Sequence, residues 1–497
     1  MQKFVCIHGH FYQPPRENPW TKKVEEEGSA HPFHDWNERI TSECYAPNAG
    51  SPLFSEGGLL SKLVNNYSWI SFDFGPTLLN WLESNSSELY ESIIEADRLS
   101  IKRFRGHGSA MAQVYNHMIM PLANSGDKRT QTLWGAEDFE RRFGRYPEGM
   151  WIPETAVDLD TLEALAENQI KFTILSPHQA LAVRRNDGGE WVDVSGGRVD
   201  TTRAYACALP SGKTMNLFFF DKGLSTGISF GDLLANGDVL ARTLVCGFSE
   251  SDEPQLANVA SDGETYGHHR KNGHIALTRC LSQIERSNTA SISNYGLFLS
   301  LAPPTHEVEI AERTSWSCAH GVERWRSNCG CGSEIRPGYN QEWRSPLRSS
   351  LDWLRGQFTG IYLEEGLRVL TDSTLAKDHL HSVAFHQEAE TRRYLQQHLK
   401  SRLSEREKTN GARLLELLDC SALMYASCAW FWEDISRTES VQALRFAARG
   451  IELVRDLVGI DLEPEFEHLL LAAKPNDPRF NSGAQLYELL ARAGNRN

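Results

Sequence analysis

The chain has 497 residues, of which 40% are hydrophobic and 23% charged, a composition typical of a folded protein with room for two or three domains. Its formal net charge of −14 argues against a nucleic-acid partner, because binding to phosphates needs a basic surface. No run of about 18 apolar residues occurs and the N-terminus lacks a long apolar core, so we expect neither a membrane span nor a signal peptide.

Short apolar strands alternate with helical segments through the first 300 residues. Asp158 or Asp160 is placed to cap a helix over Leu159–Gln169, whose leucines form one apolar stripe. This alternation predicts an α/β fold with parallel strands, arranged as a barrel or as an open sheet. The strand candidates begin at Lys3 (KFVCI), Ser68 (SWISFDF), Lys171 (KFTIL), Asn216 (NLFFF) and Gln255 (QLANVA).

The pattern near the C-terminus is typical of helices alone. Leu414–Trp432 is apolar nearly all round and predicts a buried helix. Ser436 and Glu439 match a capping box at the start of the helix that follows. The predicted domain limits are 1–305 for the α/β part, 306–345 for a segment rich in Cys and Trp, and 346–497 for a helical bundle.

The stretch GMWIPETAVD, residues 149–158, places a carboxylate at the end of an apolar segment. The apolar residues before Pro153 predict a short buried strand that stops there, because proline cannot donate to a strand ladder. Glu154 is then the first residue beyond the strand, where functional side chains gather in α/β barrels. Such an acid is either paired in the core or available to a substrate.

A second group of acids follows the strand that begins at Gln255. Asp262, Gly263 and Glu264 form a sharp turn, which the glycine permits, so that the acids can point back over the strand end. Two carboxylates on different strands of one barrel are what glycoside hydrolysis needs, one to attack and one to protonate the leaving oxygen. The alternative is that Asp262 caps a turn and Glu264 faces water.

Two histidines alternate along the first strand candidate. His8 and His10 share one of its faces, and Gln13 and Pro14 follow in the loop. Their spacing fits metal ligands, buried core residues, or hydrogen-bond partners of a sugar and a carboxylate. A metal-dependent barrel hydrolase, such as a deacetylase or a zinc mannosidase, would need a third ligand, and no third motif is apparent.

A cluster of soft ligands lies in the stretch TSWSCAHGVERWRSNCGC. Most of the ten cysteines occur in apolar segments, which predicts reduced thiols and a cytoplasmic location. Cys318, His320, Cys329 and Cys331 differ, because four such residues could bind a structural zinc. Their Cys-x-His and Cys-x-Cys spacings are not the common Cys-x-x-Cys knuckle, and redox-active thiols or plain packing are the alternatives.

These motifs together resemble glycoside hydrolase family 57, in the family's own order. The C-terminal stretch LMYASCAWFWEDISRTESVQALRFAARGIEL is similar to a branch of the family with an uncharacterised helical domain. The matching residues are His8, His10, Gln13 and Pro14 for the first motif, Gln113, Tyr115, His117, Pro121 and Leu122 for the second, Trp151, Pro153 and Glu154 for the third, and Asp262, Gly263 and Glu264 for the fourth.

The resemblance implies a (β/α)7-type barrel followed by an all-α helical domain, retention at the anomeric carbon and no cofactor. Glu154 would be the nucleophile and Asp262 the general acid and base, with their carboxyls about 5–5.5 Å apart. The implied substrate is an α-linked glucan or oligosaccharide, and the implied enzyme is of the amylase, branching enzyme or 4-α-glucanotransferase type. The residues expected to bind the carbohydrate are His8, His10, Gln13, His117, Trp151, Glu264, His320 and Trp325.

The resemblance also bears on the segment rich in Cys and Trp, because family members carry a Trp-bearing loop over the barrel mouth at this place. Trp316, Trp325 and Trp343 would then offer stacking faces for sugars. One further function class stays open, a carbohydrate-binding protein whose barrel has lost catalysis. The presence of both candidate acids argues against that class.

Overall fold

The first apolar segment of the sequence forms strand β1 (Lys3–Phe11), on which other strands assemble in parallel. The computed structural model describes residues 2–55, 57–332, 336–380 and 388–492. In it the chain forms two units. The first unit comprises Met1–Gln13, Glu26–Val114 and Gly135–Trp316, and the second comprises Pro14–Glu25, Tyr115–Trp134 and Ser317–Asn497. The domain limits given by the sequence stay a prediction.

Within the described ranges, the strands all belong to the first unit. After β1 they are, in chain order, β2 (Ser51–Phe54), β3 (Leu60–Val64), β4 (Ser71–Phe74), β5 (Ala110–Gln113), β6 (Met150–Trp151), β7 (Phe172–Leu175), β8 (Ala180–Arg185), β9 (Val192–Asp193), β10 (Ala204–Ala208), β11 (Thr214–Phe219), β12 (Gln255–Asp262), β13 (Ser291–Ile292) and β14 (His306–Ile310). Each of the five strand candidates taken from the sequence corresponds to one of them, namely β1, β4, β7, β11 and β12.

Seven parallel strands form the barrel. Neighbouring strands pair in the order β12–β1–β4–β5–β6, and each pair is parallel. Gly149, just before β6, pairs in parallel with Phe172 of β7, and β7 pairs in parallel with β11. The circle closes where the N–H of Asp221, after β11, donates to the carbonyl of Asn258 in β12 over 2.9 Å. The predicted (β/α)7-type barrel is confirmed.

The barrel strands are apolar on both faces, because βαβ connections place helices against the outside of a parallel sheet. Phe4 to Phe11 of β1 are all buried. Phe4 and Cys6, which alternate on one face of β1, pack in a core cluster with Trp151 and Phe218. His8 and His10 continue this face, so β1 carries two imidazoles at the end of the barrel where its loop begins.

A mixed sheet extends from β7 and β11. Beyond β11 the order is β10, β14, β8 and β9, in which only β10 and β14 pair in parallel. β2 and β3 form a separate hairpin, and β13 pairs with β1 near its start. The sequence analysis missed this extension, because β8 and β9 are mostly exposed or half-buried and lack the apolar runs of the barrel strands.

Helices connect the barrel strands. Asp158 caps α6, because its carboxylate accepts the N–H of Thr161 over 2.8 Å. The sequence had left this cap open between Asp158 and Asp160. The helices up to residue 301 are α1 (Trp36–Ile40), α2 (Ala46–Ala49), α3 (Pro76–Asn85), α4 (Ser87–Arg103), α5 (Ser125–Phe143), α6 (Leu159–Glu167), α7 (Lys222–Ser229), α8 (Gly237–Cys246), α9 (Gly273–Ser287) and α10 (Tyr295–Leu301).

The second unit is helical, which confirms the predicted all-α region. Its helices after residue 343 are α11 (Arg344–Val369), α12 (Ser373–Asp378), α13 (Glu388–His398), α14 (Glu405–Leu423), α15 (Cys428–Phe431), α16 (Thr438–Val458), α17 (Glu463–Leu470) and α18 (Gly483–Leu486). None of the helices in the described ranges combines the length and the apolarity needed to cross a bilayer.

Two local predictions in the second unit were wrong. Leu414–Trp432 is not one helix, since α14 ends at Leu423 and the chain turns before α15. Ser436 and Glu439 form no capping box, because α16 begins at Thr438 with Arg437 in the cap position. The Ser436 N–H donates instead to the carboxylate of Asp434 over 2.8 Å, a local turn that delays the helix.

Candidate active site at the strand ends of the barrel

Glu154 lies on a strained turn directly after β6. The strand ends at Trp151, two residues before Pro153, and both Glu154 and Thr155 have left-handed backbones, with φ of 59° and 50°. Non-glycine residues adopt this conformation at a cost, and such strain is concentrated at functional sites. The turn is fixed from outside: the N–H of Trp316 donates to the Glu154 carbonyl, and its indole Nε1 donates to Oε2 of the carboxylate, each over 2.9 Å.

Asp262 lies at the end of β12, beside β1. In the parallel pairing of these strands Asp262 is paired with His10, so the two residues lie side by side at the same end of the barrel. The Asp262 side chain is exposed. Gly263 is required next to it, because a Cβ there would lie 2.2 Å from the ring of Phe11. The reason for Gly263 is therefore the space beside Phe11, and of the two acids in this turn only Asp262 is exposed.

Stacked rings link the two acids. His8 and His10 both stack on Trp151, with ring centroids 5.0 and 4.9 Å apart. Trp316, the donor to Glu154, packs edge-on against Trp151 at 5.1 Å and against His10 at 6.4 Å. The hydrogen-bond partner of Glu154 and the strand neighbour of Asp262 thus belong to one aromatic cluster, which we call the ring cluster (His8, His10, Trp151 and Trp316).

Asp73 of β4 holds both histidines. Its Oδ1 accepts from His8 Nε2 over 3.0 Å, and its Oδ2 accepts from His10 Nδ1 over 2.9 Å. The sequence analysis missed Asp73, although an acid inside the apolar strand SFDF was the available signal. Because Ser71 occupies the other nitrogen of His8 at 3.0 Å, His8 has no nitrogen left for a metal ion.

The surroundings shift the pKa values of the two histidines in opposite directions. Burial lowers the pKa of His8 below its ordinary value, and the bond to Asp73 does not fully offset this. Burial also opposes the charged form of His10, but the negative charge of Asp73, together with Asp262 and Glu264, raises its pKa overall. The surroundings therefore favour the neutral form of His8 and the charged form of His10.

Glu264 is buried, so the alternative in which it faces water was wrong. Its Oε1 accepts the hydroxyl of Tyr45 over 2.5 Å and the N–H of Tyr12 over 3.2 Å. Gln13 in turn donates to the Tyr45 hydroxyl over 3.1 Å. Burial and the nearby charge of Asp262 raise the pKa of Glu264 to about 7, although the Tyr45 hydrogen bond acts in the opposite direction. The carboxyl therefore titrates near neutral pH.

The remaining site residues taken from the sequence lie in the second unit. His117 has φ of 54°, and its Nδ1 lies 2.6 Å from the hydroxyl of Ser427. Trp325 is fully buried, and its carbonyl accepts a hydrogen bond from Arg348 over 3.0 Å. His320 is exposed and lies next to Cys331. The other predicted site residues all belong to the first unit, namely Glu154, Asp262, His8, His10, Gln13, Trp151 and Glu264.

Comparison with known proteins gives two family matches and several relatives. "Alpha-amylase 1" of Dictyoglomus thermophilum is 24% identical over 198 residues, which are 40% of this chain and 26% of the relative, so the match spans about a quarter of that protein. The exo-type maltose-forming amylase from Pyrococcus sp. ST04 has 15% identity and a TM-score of 0.69, over 95% of this chain and 83% of that one.

The GH57-type branching enzyme from Pyrococcus horikoshii has 14% identity and a TM-score of 0.54, over 100% of this chain and 95% of that one. At such identities these structures show a shared fold. Residues 339–495 match a domain of unknown function, DUF3536. Residues 19–309, more than half of the chain, match the family model Glycosyl hydrolase family 57. The chain therefore belongs to glycosyl hydrolase family 57.

Proposed function

We propose that this protein acts on an α-linked glucan or oligosaccharide by a retaining double displacement, with Glu154 as nucleophile and Asp262 as general acid and base. One observation carries the proposal: both carboxylates follow strand ends of the same barrel and adjoin the same ring cluster. Retention requires two such groups about 5–5.5 Å apart, one on each side of the scissile bond.

The environment of each acid suits a different step. Trp316 donates to Oε2 of Glu154, which orients the carboxylate that attacks the anomeric carbon in this proposal. Asp262 is exposed, so it can reach both the leaving oxygen and the incoming hydroxyl. In the first step the glycosidic bond breaks as Asp262 gives its proton to the leaving oxygen. In the second, Asp262 takes a proton from water or a sugar hydroxyl, which replaces Glu154 at the anomeric carbon.

The other residues of the ring cluster position the site. Trp151 and His8 expose 0% of their surface, so we assign them to holding His10 in place rather than to touching the sugar. His10, fixed by Asp73, would hydrogen-bond a sugar hydroxyl near Glu154. Gln13 and Glu264 would support the same end of the barrel through Tyr45. His117 and Trp325 of the second unit are buried as well, so we do not assign them to the sugar, and we do not assign His320 to it either.

The substrate class is supported by the printed names of similar proteins, an α-amylase, a maltose-forming amylase and a branching enzyme. The family match supports a carbohydrate substrate in general. The net charge of −14 offers no attraction to an anionic polymer, which favours a neutral glucan. Hydrolysis and transfer differ in whether water or a sugar hydroxyl completes the reaction. A product screen on maltooligosaccharides and glycogen distinguishes the two reactions.

Trapping tests the nucleophile. A fluorinated glycoside that stalls the second step should label the protein, and peptide mass spectrometry should find the sugar on Glu154. Glu154→Gln should lose turnover by at least about a thousandfold while its thermal unfolding is unchanged, because the amide keeps the shape and cannot attack. Glu167→Gln on the exposed end of α6 is the matched control and should stay active.

Asp262→Asn tests the acid. The first step of this variant should be partly restored with substrates whose leaving group needs no proton. If the variant is equally impaired with all leaving groups, Asp262 is not the general acid. A label on another residue, or near wild-type activity of Glu154→Gln, removes the nucleophile assignment. Sugar binding by an unlabelled, inactive wild-type chain supports the rival carbohydrate-binding protein instead.

A further inference from the structure

The second unit brings four soft ligand atoms to one point. Cys318, His320, Cys329 and Cys331 each offer one sulfur or nitrogen, and these atoms all lie within 4.8 Å of one another. The Cys318 sulfur is 4.0 Å from that of Cys329 and 3.8 Å from that of Cys331. The Cys331 sulfur is 3.4 Å from Nδ1 of His320.

These distances are those of ligands around one tetrahedral ion. Zinc bonds of about 2.3 Å to sulfur and about 2.0 Å to nitrogen, at tetrahedral angles, place sulfurs about 3.8 Å apart and a sulfur and a nitrogen about 3.5 Å apart. A disulfide needs sulfurs about 2.05 Å apart, which none of the described pairs approaches. The geometry therefore matches metal ligation and not a cystine.

The surroundings suit a site with three thiolates. Three thiolates and one divalent zinc leave a charge of about −1. The guanidinium of Arg344, which is completely buried, lies with Nη1 3.7 Å from the Cys329 sulfur, and its Nη2 donates to the carbonyl of Cys331 over 3.2 Å. The N–H of Cys331 also donates to the Cys329 sulfur over 3.4 Å. Such outer partners orient the ligands and offset their charge.

We propose that Cys318, His320, Cys329 and Cys331 bind one zinc ion as a closed structural site. Four protein ligands complete the coordination shell, so no position is left for water or substrate, and a catalytic metal is not implied. Between Cys318 and Cys331 the described chain has only one short turn of 3-10 helix, Glu323–Trp325. A metal that joins both ends of such an irregular segment would hold it folded.

Metal analysis of the purified full-length chain tests the site. Wild type should contain about one zinc per chain, and Cys329→Ser with Cys331→Ser should lose it. Cys246→Ser, which removes an exposed cysteine of the first unit, should keep its zinc. Removal of zinc from the wild type with a strong chelator should lower the Tm by at least about 5 °C, and added zinc should restore it.

Two measurements on the unmutated chain keep the test valid if the double variant misfolds. Cobalt substituted for zinc should give the intense visible bands of tetrahedral thiolate coordination. Alkylation of the native chain should modify Cys246 readily, and Cys329 and Cys331 at least about tenfold faster after chelation than before. Any of three results overturns the proposal: a metal-free wild type that binds no added zinc or cobalt, a disulfide among these cysteines in the native chain, or full zinc content in the double variant.

Discussion

At the scale of single residues, Trp316 makes one hydrogen bond to Glu154 whose effect on the reaction can be measured. Sequence analysis offered its ring as a stacking face, whereas in the structure its indole nitrogen donates to Glu154. A hydrogen bond to a charged group contributes about 1.5–3 kcal/mol, enough to change the rate measurably if Glu154 is the proposed nucleophile. Trp316 packs against Trp151 as well, so a ring should be retained in any variant that tests the bond.

Trp316→Phe should lower kcat by about tenfold to a hundredfold with little change in KM. Phenylalanine keeps the contact with Trp151, so the loss reports on the hydrogen bond rather than on packing. Trp36→Phe, which removes the indole hydrogen bond to Ser29 on an exposed surface, is the control. An unchanged kcat in Trp316→Phe would show that the bond has no part in the reaction.

Glu264 makes stability depend on pH. Burial first, and then Asp262, raises its folded pKa from 4.5 to about 7. Between pH 4.5 and about 7 the folded chain keeps a proton on Glu264 that the unfolded chain releases. The stability that this proton contributes is therefore complete below the unfolded pKa and is lost as the pH rises through the folded pKa. The effect amounts to at most about 3 kcal/mol.

Glu264→Gln should remove this dependence, because glutamine keeps an acceptor for Tyr45 and Tyr12 and does not ionise. Between about pH 5 and about pH 8 the Tm of the wild type should fall relative to that of the variant. The measurement is a series of thermal melts, with Glu167→Gln as the control. Parallel curves for wild type and variant would place the pKa of Glu264 in its ordinary range.

At the scale of elements, α6 shows how a local signal sets a boundary next to the site. The helix begins four residues after the strained turn that carries Glu154, and Asp158 accepts the N–H of Thr161 at its first turn. Such caps contribute about 1 kcal/mol, because they satisfy an N–H that the helix itself leaves unpaired. The cap therefore determines that α6 begins at Leu159, shortly after the turn that carries Glu154.

Asp158→Ala should lower the free energy of unfolding by about 1 kcal/mol, whereas Asp158→Asn, which can accept the same bond, should cost much less. Chemical denaturation of the three proteins measures the difference. If alanine and asparagine cost the same amount, the carboxylate acts through its charge rather than through the cap. The strand ends differ in cause, since Pro153 follows β6 closely as a residue that cannot donate to a ladder, whereas Gly263 after β12 is needed for the space beside Phe11.

For the whole molecule, the net charge of −14 bears on which substrates can approach. A neutral glucan gains nothing from this field, whereas a charged polymer would be attracted or repelled over the Debye length. The charge is a property of composition, and it acts on rates of encounter rather than on the fold. It therefore gives a test of substrate class that is independent of any single site residue.

KM for the glucan found in the product screen should change less than about twofold between roughly 50 and 500 mM salt. Steady-state kinetics in a salt series measures this, and thermal melts in the same buffers control for effects of salt on stability. A strong dependence of KM on salt would show that charge contributes to glucan binding and would contradict this prediction.

The sequence by itself predicted most of the barrel strands and the acids that follow two of them, because strand periodicity and proline act over a few residues, but it did not predict the short strand β5. It did not determine the partners of those acids. Asp73 reaches His10 across 63 positions, Trp316 reaches Glu154 across 162, and Tyr12 reaches Glu264 across 252. Only the order of strands around the barrel brings such distant residues together, so the tertiary structure decided the hydrogen bonds and the charge of the site.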